Sequence, residues 1–76
     1  MKKIKISIKT INDVKEFVNT VGTVNYEVDL ISGRYAIDAK SIMGIFSLDL
    51  SKDLELNIHS DDCQPLLDEL SKFIVE

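Results

Sequence analysis

Between Lys3 and Lys9 apolar and polar side chains alternate without a break, with Ile4, Ile6 and Ile8 on one side and Lys3, Lys5, Ser7 and Lys9 on the other. A period of two is that of a strand with one buried face. From Thr10 the period changes. Ile11, Val14, Phe17, Val18 and Val21 recur at helical spacing, with Asn12, Asp13, Lys15, Glu16 and Asn19 opposite. This predicts a helix over about Ile11 to Val21, capped by the Thr10 hydroxyl, with Asp13 favourably placed in the first turn and Gly22 as its stop. Alternation returns at Val24, Tyr26, Val28 and Leu30, and Ser32-Gly33 turns the chain into Arg34-Tyr35-Ala36-Ile37-Asp38. Two antiparallel strands joined by a hairpin follow. The edge so formed, Arg34 to Asp38, could pair with a copy of itself, although its two charges discourage that.

Ala39-Lys40-Ser41 then opens a short apolar helix over Ile42 to Leu48, with Ser41 as its N-cap. After the polar loop Ser51-Lys52-Asp53, a fourth strand is read from Leu54, Leu56 and Ile58 alternating with Glu55, Asn57 and His59. The last segment predicts a helix opened by Ser60-Asp61-Asp62, with Pro65 in the first turn and Cys63, Leu66, Leu67, Leu70, Phe73 and Ile74 on one stripe. The order is β-α-β-β-α-β-α, an α+β arrangement. A four-stranded antiparallel sheet covered on one face by three helices buries every apolar face at once.

Seventy-six residues, 45% of them hydrophobic, fit one small domain over 1–76, with three Gly and one Pro leaving little linker. A net charge of -4 lacks the basic footprint of a nucleic-acid binder. No run approaches the roughly 20 apolar residues of a membrane span, and Met1-Lys2-Lys3-Ile4-Lys5 lacks the apolar core of a signal peptide. A cytoplasmic protein without membrane or nucleic-acid partners is expected. Cys63 is the only cysteine and reads as a small apolar side chain. His59, the only histidine, reads as an exposed group at a strand end; with Asp61 and Asp62 it makes a weak metal set, and no metal or other cofactor is expected.

Lys40-Ser41-Ile42-Met43-Gly44, then Leu48 and Glu55-Leu56-Asn57-Ile58, resemble in order and spacing a run found in HPr, the small phosphocarrier of the bacterial sugar phosphotransferase system. From about Val18 to Ile58 the chain lies on the family pattern without a gap. The resemblance implies an open-faced sandwich with strand order 1-4-2-3. In HPr a histidine at the start of the first helix takes phosphate from Enzyme I beside an arginine. Spacing back from Ser41 puts Thr10 at that histidine position, Asn12 at the arginine position and Asp13 at a proline position. A threonine ester is not a transferable phosphoramidate, and Asp13 repels incoming phosphate.

The resemblance also makes Ser41 a candidate for regulatory phosphorylation, and Met43, Phe46 and Leu48 a candidate protein-binding surface. The expected function is that of a binding or regulatory module, not an enzyme, with phosphotransferase components or a serine kinase as partners. A carrier using His59 as a relocated acceptor, or the fold recruited to an unrelated binding role, are the alternatives.

Overall fold

The computed structural model describes residues 1–75. Its elements run β1 (Lys2–Ile6), α1 (Ile11–Val21), β2 (Val28–Ser32), β3 (Tyr35–Asp38), α2 (Ile42–Phe46), β4 (Leu54–Ile58) and α3 (Gln64–Glu69), followed by a 3₁₀ turn at Ser71–Phe73. The four strands form one antiparallel sheet in the order β1-β4-β2-β3. The expected α+β topology and strand order are therefore the observed ones.

Alternation explains the core. Ile6, Val28, Leu30, Leu54, Leu56 and Ile58 all lie buried beneath the helices, and Val14, Phe17 and Val21 of α1, Ile45 of α2 and Leu66 of α3 close over them. The Phe17 and Phe73 rings meet edge to face at 6.2 Å and 83°, which ties α1 to the end of the chain through a favoured aromatic geometry. None of the described residues that is buried is polar or charged. Desolvation of apolar surface is thus the main source of cohesion in a domain this small.

Several boundaries differ from the expected ones, each for a local reason. β1 ends at Ile6 rather than continuing to Lys9, yet Ile8 is fully buried because the descending loop still faces the core. Val24 and Tyr26 alternate like strand residues but lie in the connection before β2, half-buried. That connection is held by a cation instead of a ladder: Lys40 Nζ donates to the carbonyls of Val24 and Tyr26, both at 2.9 Å. α2 stops at Phe46, where Ser47 becomes its C-cap, and β3 starts at Tyr35.

The last helix departs most from expectation. Ser60-Asp61-Asp62 does not cap it: Ser60 Oγ and the Asp62 N–H bond each other locally, and Cys63 occupies the N-cap without a side-chain bond, buried at its apolar face. The helix ends after Glu69, Phe73 sits in the 3₁₀ turn, and Ile74 is not helical at all. Ile74 instead bridges Ile6, with Ser7 N–H donating to Phe73 O at 2.8 Å and Val75 N–H to Lys5 O at 3.0 Å. Phe73 to Val75 therefore lie against the outer side of β1 at its C-terminal end, Lys5 to Ser7. Ile11, expected in the core, is 62% exposed at the first turn of α1.

Candidate functional site

Two helix starts carry the residues singled out in the sequence. At the mouth of α1, Thr10 is extended and its Oγ1 accepts from the Asp13 N–H at 3.0 Å. The Asp13 carboxylate turns back toward the Lys9 N–H, Oδ2 to N being 3.4 Å. A helix start leaves backbone donors without intrahelical partners; here the chain's own hydroxyl and carboxylate take two donors at this mouth. Asn12 is exposed beside them. Lys9 reaches away, its Nζ donating to Ser51 O at 3.1 Å.

The start of α2 is built the same way. Ser41 is extended and exposed, and its Oγ accepts from the Gly44 N–H at 3.3 Å. Gly44 allows α2 to lie close on the sheet, since a Cβ there would sit 3.2 Å from Ile37 Cδ1 and 3.3 Å from Ser41 Oγ. Ile45 then points inward and is fully buried, while Met43 is 80% and Phe46 43% exposed. Leu48 is half-buried and lines a shallow groove with Tyr35, Ile37 and Ser47. α1 and α2 pack on one another. Ile11 thus adds a third exposed apolar side chain to this pair of helices, one that its helical spacing concealed.

His59 is elsewhere. β1 pairs with β4 so that Ile6, which leads to the α1 mouth, faces Leu54, and Lys2 faces Ile58. His59 follows Ile58, so about 17 Å of strand separates it from the end of the sheet where α1 begins. Its Nε2 lies 2.7 Å from Asp29 Oδ2, and its backbone N–H donates to Glu27 O. Asp61 is paired with the Met1 amino group at 2.7 Å, and that hydrogen bond, with the attraction of the charge, holds its carboxyl below the usual range. His59, Asp61 and Asp62 are therefore not drawn together, and among the described residues no group of three or more metal-ligating side chains forms. No helix among them is long and apolar enough to cross a membrane.

Lys40 was visible in the sequence only as part of a motif. Its half-buried ammonium, bridging two carbonyls, ties the residue just before Ser41 to the connection that precedes β2. No periodicity signals such a role.

Comparison with known proteins adds three findings. The family model described as the PTS HPr component phosphorylation site matches residues 11–76, beginning one residue after Thr10. The fold is similar to the crystal structure of HPr-C-His from Thermoanaerobacter tengcongensis, with a TM-score of 0.79 and 28% identity over 95% of this chain and 89% of that one. It is also similar to a phosphocarrier protein HPr from Bacillus anthracis str. Ames, with a TM-score of 0.71 and 21% identity over 97% and 94% of the two chains, a likeness of fold. No curated protein matches the sequence significantly.

Proposed function

The chain belongs to the HPr family of the phosphotransferase system, and from that premise we propose that it serves there as a cytoplasmic protein-binding or regulatory module rather than as a phosphohistidine carrier. The supporting observation is the content of the α1 mouth. Thr10 and Asp13 spend their side chains on capping the helix, and the one histidine of the sequence lies at the far end of β4 against a carboxylate. A carrier in this family needs an imidazole where Thr10 stands and a cation where Asn12 stands. A phosphorylated threonine is a stable ester, and the Asp13 carboxylate raises the cost of bringing a phosphate there.

The role left to such a module is recognition. Ser41, at the exposed start of α2, is the residue we assign to regulatory phosphorylation, and a phosphate at that position faces backbone N–H groups. Met43, Phe46 and Leu48 form the surface we assign to a protein partner, for which a flexible thioether and an aromatic ring suit adaptable apolar contact. Other phosphotransferase proteins and a serine kinase are the partners this reading names; it needs no cofactor and no catalysis by the chain itself.

Incubation with phosphoenolpyruvate and Enzyme I tests it. The expected result is no acid-labile phosphate on this protein, and acid-labile label overturns the reading. An HPr kinase with ATP is expected to add one acid-stable phosphate, which Ser41→Ala abolishes.

The second reading, transfer through His59, draws support only from the imidazole being partly exposed. Label that disappears in His59→Ala would favour it.

A further inference from the structure

We propose that β3 is a self-association edge through which two copies of this chain pair antiparallel about Ala36, extending the four-stranded sheet into a continuous eight-stranded one. The two ends of the sheet are not alike. At β1 the outer edge is engaged at Lys5 to Ser7 by Phe73 to Val75, whereas β3 is the terminal strand on the other side with no strand among the described residues paired to its outer edge. It is short and ends in Asp38, but it carries no proline, no lysine and no bulge.

The hydrogen-bonding phase of β3 selects the register. Ala39 N–H donates inward to Val28 O at 2.9 Å, and antiparallel pairing alternates, so positions 35, 37 and 39 face β2. Ala36 and Asp38 consequently direct their N–H groups to the free edge, as do the carbonyls of Ala36 and of the turn residue Arg34, whose C=O lies anti to the inward N–H of Tyr35. Asp38 O is engaged by the Ser41 N–H. A two-fold axis through Ala36 still forms four bonds: Ala36 N–H to Ala36 O of the other copy, Asp38 N–H to Arg34 O, and the two reciprocals. This is the register of greatest overlap, and it sets Arg34 opposite Asp38 twice. Axes displaced to either end lose bonds and bring Arg34 toward Arg34 or Asp38 toward Asp38. The charges that discourage random pairing therefore favour this one.

Side chains agree with the backbone. Asp38 Oδ1 accepts from the Lys40 N–H at 2.9 Å, which leaves Oδ2 for a guanidinium. Ala36 is small and exposed at the centre. On the helix side, Tyr35, 69% exposed, comes opposite Ile37 of the other copy, at the mouth of the groove lined by Ile37, Ser47 and Leu48. A contact of four backbone bonds and two charge pairs belongs with the weak, transient interfaces.

Sedimentation equilibrium of the full chain up to about 2 mM protein, at low and high salt, tests the inference, with amide exchange as a second readout. The expected result is a monomer–dimer equilibrium weakened by salt, with slowed exchange at the Ala36 and Asp38 amides as concentration rises. Ala36→Pro removes an outward N–H without touching the bonds to β2, and is expected to abolish the dimer while the dispersed amide spectrum persists. Arg34→Asp is expected to weaken it about tenfold. A chain that stays monomeric throughout, or a dimer indifferent to both substitutions, overturns the inference, including the case in which this edge takes a strand from another protein instead. Neither result bears on phosphorylation, so this inference and the proposed function fail separately.

Discussion

Asp13 and Thr10 cap the same helix start from opposite directions: the Asp13 N–H donates to Thr10 Oγ1 at 3.0 Å, while the Asp13 carboxylate leans back toward the Lys9 N–H. The pair is exposed, so its strength is that of an ordinary surface cap. Thr10→Ala is expected to lower the unfolding free energy by about 1 kcal/mol, and Thr10→Ser by much less. Urea denaturation measures both. A loss near zero for Thr10→Ala would mean the hydroxyl is idle.

Lys40 predicts a larger effect at a position that is neither core nor site. Replacing it with Met keeps the apolar stem but leaves the Val24 and Tyr26 carbonyls without their donor. The expected cost is about 2 kcal/mol, because each bond is charge-assisted and half-buried carbonyls lose a partner. Faster amide exchange should be confined at first to the segment between Gly22 and Val28.

Met43 and Phe46 separate stability from recognition. With 80% of Met43 exposed, Met43→Ala should change stability by less than about 0.5 kcal/mol. Phe46→Ala, on a side chain 43% exposed, should cost about 1 kcal/mol. Both should weaken capture of a phosphotransferase partner by tenfold or more if these rings and thioethers are anchors, as titration calorimetry would record. In the core the contrast is sharp: Phe17→Ala, at a fully buried ring stacked edge to face on Phe73, is expected to cost about 4 kcal/mol.

Acid should loosen the fold through two exposed carboxyls. The Ser51 hydroxyl and then its N–H hold Asp49 below its ordinary value, as the bond from the Met1 amino group does for Asp61. A carboxyl with a lowered folded-state pKa contributes stability that is fully present above its unfolded value, near pH 4, and is lost as pH falls through the folded value. Thermal melts should therefore decline below about pH 4, and Asp49→Asn should flatten part of that decline.

How far the sequence could be read depended on what enforced each residue's position. β4 and α1 were legible because the sheet and the helix impose their own periods on Leu54, Leu56 and Ile58 and on Val14, Phe17 and Val21. Val24 and Tyr26 mimic a strand because a connection tethered by Lys40 also turns alternate side chains inward, and one distant ammonium leaves no trace in a local pattern. Leu70, Phe73 and Ile74 keep helical spacing, but a 3₁₀ turn followed by a bridge to Ile6 buries the same residues, and only the partner strand distinguishes the two. Ile11 fits the helical stripe yet faces outward, since at the first turn of α1 no element lies above it. At the candidate site, Ser41 as N-cap and Thr10 as N-cap were both readable from local chemistry. The opposite location of His59 required the β1–β4 register.

The pairing of Lys2–Ile6 with Leu54–Ile58 also governs when this protein can fold. β1 is made well before its partner β4, and its second flank waits for Ile74. During synthesis the hairpin of β2 and β3 can close early, but the opening isoleucines must stay soluble with only their interleaved lysines to protect them. Nascent chains stalled before Leu54 should accordingly be degraded by added protease, and those carrying Ile74 clear of the exit tunnel should resist it.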